Sequence, residues 1–78
     1  MVPTTLITGA TRGLGKVIAN NLLQKNHKII NISKSGVIPD EFKNKNFTSV
    51  KNDITNIKET YNIVNDITEK NKIDNVIL

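Results

Sequence analysis

The chain has 78 residues, no cysteine, 37% hydrophobic and 23% charged residues, and a net charge of +4. That length reads as one small domain or part of a larger one and excludes a two-domain enzyme; such a chain buries only about 60% of its unfolded surface, and with no disulfide or Cys/His cluster it must rely on apolar packing or on missing mass. Twelve Asn, twelve Ile and ten Lys beside the single Arg12 mark the basicity as compositional background, and no apolar run approaches the roughly 20 residues that span a bilayer. A cytoplasmic protein without a signal peptide or membrane segment is therefore expected.

Thr4-Thr5-Leu6-Ile7-Thr8 is a β-rich run that stops at Gly9, and glycines recur at 13 and 15 ahead of a helical pattern. From there Leu14, Val17, Ile18, Leu22 and Leu23 return at spacings of three and four, which predicts an amphipathic helix with that stripe against a core. Lys25-Asn26-His27-Lys28 offers cations to the negative end of this helix, and Ile29-Ile30-Asn31-Ile32 predicts a second strand. Gly36, Pro39 and four charges between Ser35 and Asn46 leave space for no more than a turn or two of helix at Asp40-Glu41-Phe42. Phe47-Thr48-Ser49-Val50 predicts a third strand, which ends in the turn and cap residues Asp53-Ile54-Thr55. Ile57, Tyr61, Val64 and Ile67 mark a second long helix with Tyr61 on its core face, and Ile73 to Leu78 reads as a fourth strand.

Strands that alternate with helices imply a parallel sheet, because parallel neighbours need a long crossover. Right-handed crossovers give an α/β fold of the Rossmann type, the N-terminal half of a doubly wound parallel sheet with strand order 3-2-1-4. With the fourth strand at the end of the chain, one edge is expected to stay unpaired, with Ile73, Val76 and Ile77 partly wet.

Thr8-Gly9-Ala10-Thr11-Arg12-Gly13-Leu14-Gly15 fits the pattern TGxxxGxG where the first strand hands over to a helix. Gly9 permits the tight turn, Gly13 lets the backbone approach a pyrophosphate, and Gly15 lets the helix pack close to the strands. The helix start then offers free N–H groups to the phosphates. The ATP or GTP pattern GxxxxGK[ST] fails, since Ala10 replaces its first glycine and Val17 its magnesium-binding hydroxyl. A dinucleotide is the better match. Its ribose usually meets a carboxylate after the second strand, but here the residues are Ile32-Ser33-Lys34-Ser35. Ser33, Lys34 and Ser35 suit a 2′-phosphate and so favour NADP(H) over NAD(H), although Lys34 also reads as a solvated loop lysine.

Thr8 to Gly15, Asp53 after the third strand and Ile73-Asp74-Asn75-Val76-Ile77-Leu78 together resemble the N-terminal portion of the short-chain dehydrogenase/reductase family, over essentially the whole chain. The GxxxGxG spacing resembles its single-domain reductases, 3-oxoacyl-carrier-protein reductases among them. The resemblance implies an NADP(H)-dependent oxidoreductase, a small-molecule carbonyl or alcohol substrate, and a homo-oligomer. It also implies that Arg12 is the basic residue which NADPH-using relatives often carry in this loop, although Arg12 also reads as a plain surface residue, and that Thr11 and Leu14 line the adenine and pyrophosphate sites. Asp53 would accept from the adenine amino group, with Ile54 against the adenine face; a local reading makes Asp53 a turn or cap residue beside Thr55.

The family's Asn-Asn-Ala-Gly turn, catalytic Ser and Tyr-x-x-x-Lys pair have no counterpart in these residues, and Tyr61 is followed at i+4 by Asn65. No catalytic or metal-binding residue is therefore assigned. Residues 1–78 read as a partial dinucleotide-binding domain, truncated before the catalytic half and inactive alone. A non-catalytic dinucleotide-binding or regulatory module is the alternative. His27 is placed on the surface at a helix end, and Lys43-Asn44-Lys45, without interleaved aromatics, offers no nucleic-acid face.

Overall fold

A computed structural model describes residues 2–10, 13–43 and 45–77. Strand β1 (Thr4–Thr8) leads to helix α1 (Gly13–Gln24), strand β2 (Lys28–Ser33), a single 3-10 turn (Asp40–Phe42), strand β3 (Phe47–Lys51), helix α2 (Ile57–Lys70) and strand β4 (Asn75–Ile77). The strands form one all-parallel sheet in the order β3-β2-β1-β4, the order expected from right-handed crossovers. β4 is shorter than the run Ile73 to Leu78; Leu78 lies outside the described residues, and Ile73 packs from the preceding loop.

Strand side chains alternate between two faces, so β1, β2 and β3 each feed two cores. On one face Ile7, Ile29 and Phe47 pack with Ala19 and Leu23 of α1 and with Phe42 of the 3-10 turn. On the other, Leu6, Ile30 and Ile32 pack with Ile67 of α2, flanked by half-buried Ile63, Val64 and Ile73. This is why β2 reads as a nearly unbroken isoleucine run: it is covered from both sides. Phe42 and Phe47 meet with ring centroids 4.9 Å apart and planes tilted by 36°.

The helix stripes differ from the pattern of large apolar side chains. In α1, Leu14 is 75% and Val17 58% exposed, while Ala19 and Leu23 are buried and Ile18 and Leu22 partly so. The line nearest the sheet runs through Gly15 and Ala19, because only small residues let the helix approach this closely, and the larger Leu14 and Val17 are turned away. In α2 the buried line runs through Ile63, Val64 and Ile67. Tyr61 lies about a third of a turn from its centre and is 66% exposed, so the core-face assignment is overturned, and Ile57 is exposed with it.

The end of α1 also differs from expectation. No basic residue occupies its last turn; instead Asn26 takes a left-handed conformation at φ 64°. The His27 N–H donates to the Leu22 carbonyl at 3.0 Å and the Asn26 N–H to the Leu23 carbonyl at 3.1 Å, a Schellman closure in which backbone bonds do what the cations were expected to do. At the start of α2, Asn56 Oδ1 accepts from the Glu59 N–H at 3.2 Å, a side-chain N-cap.

Phe42→Ala is expected to lower unfolding free energy by about 3–5 kcal/mol in urea titration, since it empties a fully buried aromatic site. Tyr61→Ala is expected to change it by less than about 0.5 kcal/mol, as at an ordinary surface position.

Candidate functional site

In a parallel sheet all strands deliver their C-terminal ends to one edge, and here the chain builds outward from β1 to β2 and β3, then crosses back through α2 to add β4 on the other side of β1. A crevice opens where the order reverses. An open cleft of about 950 Å³ lies at this edge, lined by Thr8 and Gly9 after β1, by Ile32 to Ser35 and Val37 after β2, and by Asn52, Asp53 and Ile54 after β3.

The first wall is the turn from β1 into α1. Gly9 has φ 75° and Gly13 φ 63°, and nothing stands within 4 Å of where a Cβ on either would project, so the backbone there is open to an approaching group. Gly15 is different. A Cβ on it would collide with the Gly9 carbonyl oxygen and stand 2.9 Å from the Gly9 carbonyl carbon, so the helix starts in contact with the turn. Thr11 and Arg12 lie outside the described residues. Leu14, at the helix start, is exposed and does not line the cleft; nor do Gly13 and Gly15.

The second wall follows β2. Ser33 Oγ accepts the Gly36 N–H at 3.0 Å and Ser35 Oγ accepts the Val37 N–H at 3.3 Å, which folds the loop and leaves each hydroxyl its own proton to donate. Lys34 is exposed and belongs to none of the ion pairs among the described residues. Val37, 57% exposed, is an apolar lining residue that the sequence pattern did not single out.

The third wall follows β3. Asp53 Oδ1 accepts from the Thr55 hydroxyl at 2.7 Å and from the Thr55 N–H at 3.0 Å, the turn role foreseen as one of two readings. The Thr55 hydroxyl, then the Thr55 N–H and the nearby Lys34 cation, hold the Asp53 carboxyl below its ordinary pKa. Ile54 is 56% exposed, an apolar surface facing the cleft.

Two buried asparagines brace these walls, and neither was singled out as a site residue. Asn52, 2% exposed, donates its N–H to the Ser33 carbonyl at 2.8 Å, which ties the third wall to the second. Its Nδ2 donates to Thr60 Oγ1 at 2.8 Å, while its Oδ1 is buried with no hydrogen-bond partner. Asn31, fully buried in β2, accepts the Ala10 N–H at 3.1 Å. The available signal was a polar residue interrupting Ile29-Ile30-Asn31-Ile32. Among the described residues no three metal-ligating side chains gather, and no helix is long and apolar enough to cross a membrane.

Comparison with protein families matches residues 3–77 to the model described as short chain dehydrogenase. Curated proteins and solved structures give no significant match.

Two outcomes follow from this geometry. Gly15→Ala is expected to destabilise the chain by about 1–3 kcal/mol in chemical unfolding, the cost of overpacking against backbone that cannot yield. The Asp53 carboxyl is expected to titrate below its ordinary value by NMR, and Thr55→Val to move the midpoint up. Because the folded pKa is depressed, the turn's contribution is intact above the unfolded value and disappears as pH falls through the folded one, well into acid.

Proposed function

Given that the chain belongs to the short-chain dehydrogenase family, we propose that its cleft holds the adenosine half of NADP(H), in preference to NAD(H), as the cofactor-binding portion of an oxidoreductase acting on a carbonyl or alcohol. The family supports a nicotinamide dinucleotide and an oxidoreductase. The preference for the 2′-phosphate rests on the rim after β2, where Ser33, Lys34 and Ser35 stand together and no carboxylate occupies the position that would receive a free ribose 2′-hydroxyl.

The residues divide the work by chemistry. The hydroxyls of Ser33 and Ser35 donate to phosphate oxygens while Lys34 supplies a charge-assisted contact. The Asp53 carboxylate, ionised at neutral pH and held by Thr55, accepts from the adenine amino group. Val37 and Ile54 offer apolar surface to the adenine ring from the second and third walls. Around the pyrophosphate, the open backbone at Gly9 and Gly13 and the first-turn N–H groups of α1 supply donors and a positive dipole end, and the missing Cβ atoms leave space for close approach. When bound, the nicotinamide ring exchanges hydride with the substrate.

Calorimetric titration of NADPH and NADH against the wild type and Lys34→Asp tests this. The wild type is expected to bind NADPH more tightly, and the substitution to weaken NADPH by about tenfold or more while leaving NADH little changed. Equal or tighter binding of NADH by the wild type overturns the preference.

A further inference from the structure

We propose that Asn31 is a positioning residue for the pyrophosphate: from the neighbouring strand, it fixes the orientation of the Gly9–Ala10 peptide and so the shape of the glycine turn. The inference rests on the cofactor reading above and adds to it a residue outside the glycine pattern.

Ala10 is fully buried and lies past the end of β1, so the ladder that satisfies strand amides no longer reaches its N–H. Asn31 Oδ1 accepts that N–H at 3.1 Å across 21 positions of sequence. Asn31 is itself fully buried, and its Nδ2 donates at 3.4 Å to Oγ of Ser49, its register partner on β3. On β1 its register partner is Ile7, three residues short of Ala10, so the backbone of β2 is not the acceptor and the side chain has to be. An aliphatic residue, which the rest of the strand favours, would leave the Ala10 N–H buried and unpaired.

The other half of the same peptide is also constrained. In a trans peptide the carbonyl and the N–H point in opposite directions. The Gly9 carbonyl oxygen lies where a side chain on Gly15 would collide with it, against the start of α1, while the Ala10 N–H is held by β2. One peptide plane is thereby clamped between helix and strand, with Gly9 kept at φ 75°. Two consequences follow for a bound phosphate. The Ala10 N–H is not among its donors, and the donors at the first residues of α1 start from a peptide held in place.

The test compares NADPH with adenosine 2′-monophosphate, which carries adenine, ribose and 2′-phosphate but no pyrophosphate, on the full chain. Asn31→Val, a substitution suited to a strand, is expected to weaken NADPH by about tenfold, the cost of a lost buried hydrogen bond, and adenosine 2′-monophosphate by less than about twofold. Equal weakening of both ligands, or of neither, overturns the positioning role and leaves the cofactor reading standing; failure of the wild type to bind either ligand overturns both. Amide exchange on the unliganded wild type is a second measurement that needs no variant. The Ala10 N–H is expected to be protected like the ladder amides of β2, and exchange at the rate of an open loop overturns the clamp. Should Asn31→Val not fold, Ser49→Ala removes only the outer support and is expected to give the same selective loss, about two- to threefold; an unselective loss counts against the proposal.

Discussion

Contact between the first turn of α1 and the Gly9–Ala10 peptide just past β1 is the constraint on which the rest of the molecule depends. The helix has to begin against the Gly9 carbonyl, and no side chain fits between them, so position 15 carries glycine and Ala19 follows on the same line. Placing the helix this close brings its first-turn N–H groups beside the sheet edge where the strands end. It also sets the depth of the first core, in which Ala19 and Leu23 reach Ile7, Ile29 and the Phe42–Phe47 pair. Because β2 is covered by this layer on one side and by α2 on the other, its interior side chains are apolar on both faces. The exception is Asn31.

That exception belongs to a wider pattern in which asparagine closes what the regular elements leave open. Asn26 ends α1 in a left-handed conformation, Asn56 caps the start of α2, and Asn71 donates both its N–H and its Nδ2 to the Ile67 carbonyl at the helix's far end. Asn52 ties the ends of β2 and β3 and Asn75 Nδ2 reaches Thr5 Oγ1 at the sheet's opposite side. With Asn31, six asparagines among the described residues sit at element ends or inside the sheet in roles of this kind. The physical cause is shared. A short amide offers a donor and an acceptor within reach of the main chain and tolerates a left-handed backbone, so it serves wherever helix or ladder bonds run out.

Charge is used more sparingly. The ion pairs Lys16–Glu41, Lys43–Asp40 and Lys70–Asp66 are at least partly exposed, so solvent screens them and they add little to stability. Lys16–Glu41 links α1 to the 3-10 turn on the side where Phe42 enters the core, so it follows the packing and does not direct it. At the cleft the arrangement differs. The Lys34 cation stands near the ionised Asp53, whose oxygen is already engaged by Thr55.

By itself the sequence determined what is local: the order of strands and helices, the parallel sheet and its strand order, the single turn of helix at Asp40–Phe42, and a glycine pattern at the first strand-to-helix junction. Each follows from hydrophobic period, turn residues and crossover length, which act over a few neighbouring positions. Tertiary structure decided what depends on distant partners. Leu14 and Tyr61 have the spacing of core residues, but the face a helix buries is chosen by how closely it can approach the sheet, so small residues displaced Leu14 and a rotated stripe displaced Tyr61. The walls of the cleft from Ser33, Asp53 and Ile54 were legible, whereas Val37 and the bracing asparagines were not, since a buried amide is defined by the group it meets. For Asn31 that group is a backbone N–H 21 residues away, brought within 3.1 Å only because parallel pairing lays β2 beside β1 and the turn beyond it carries Ala10 to the end of its side chain.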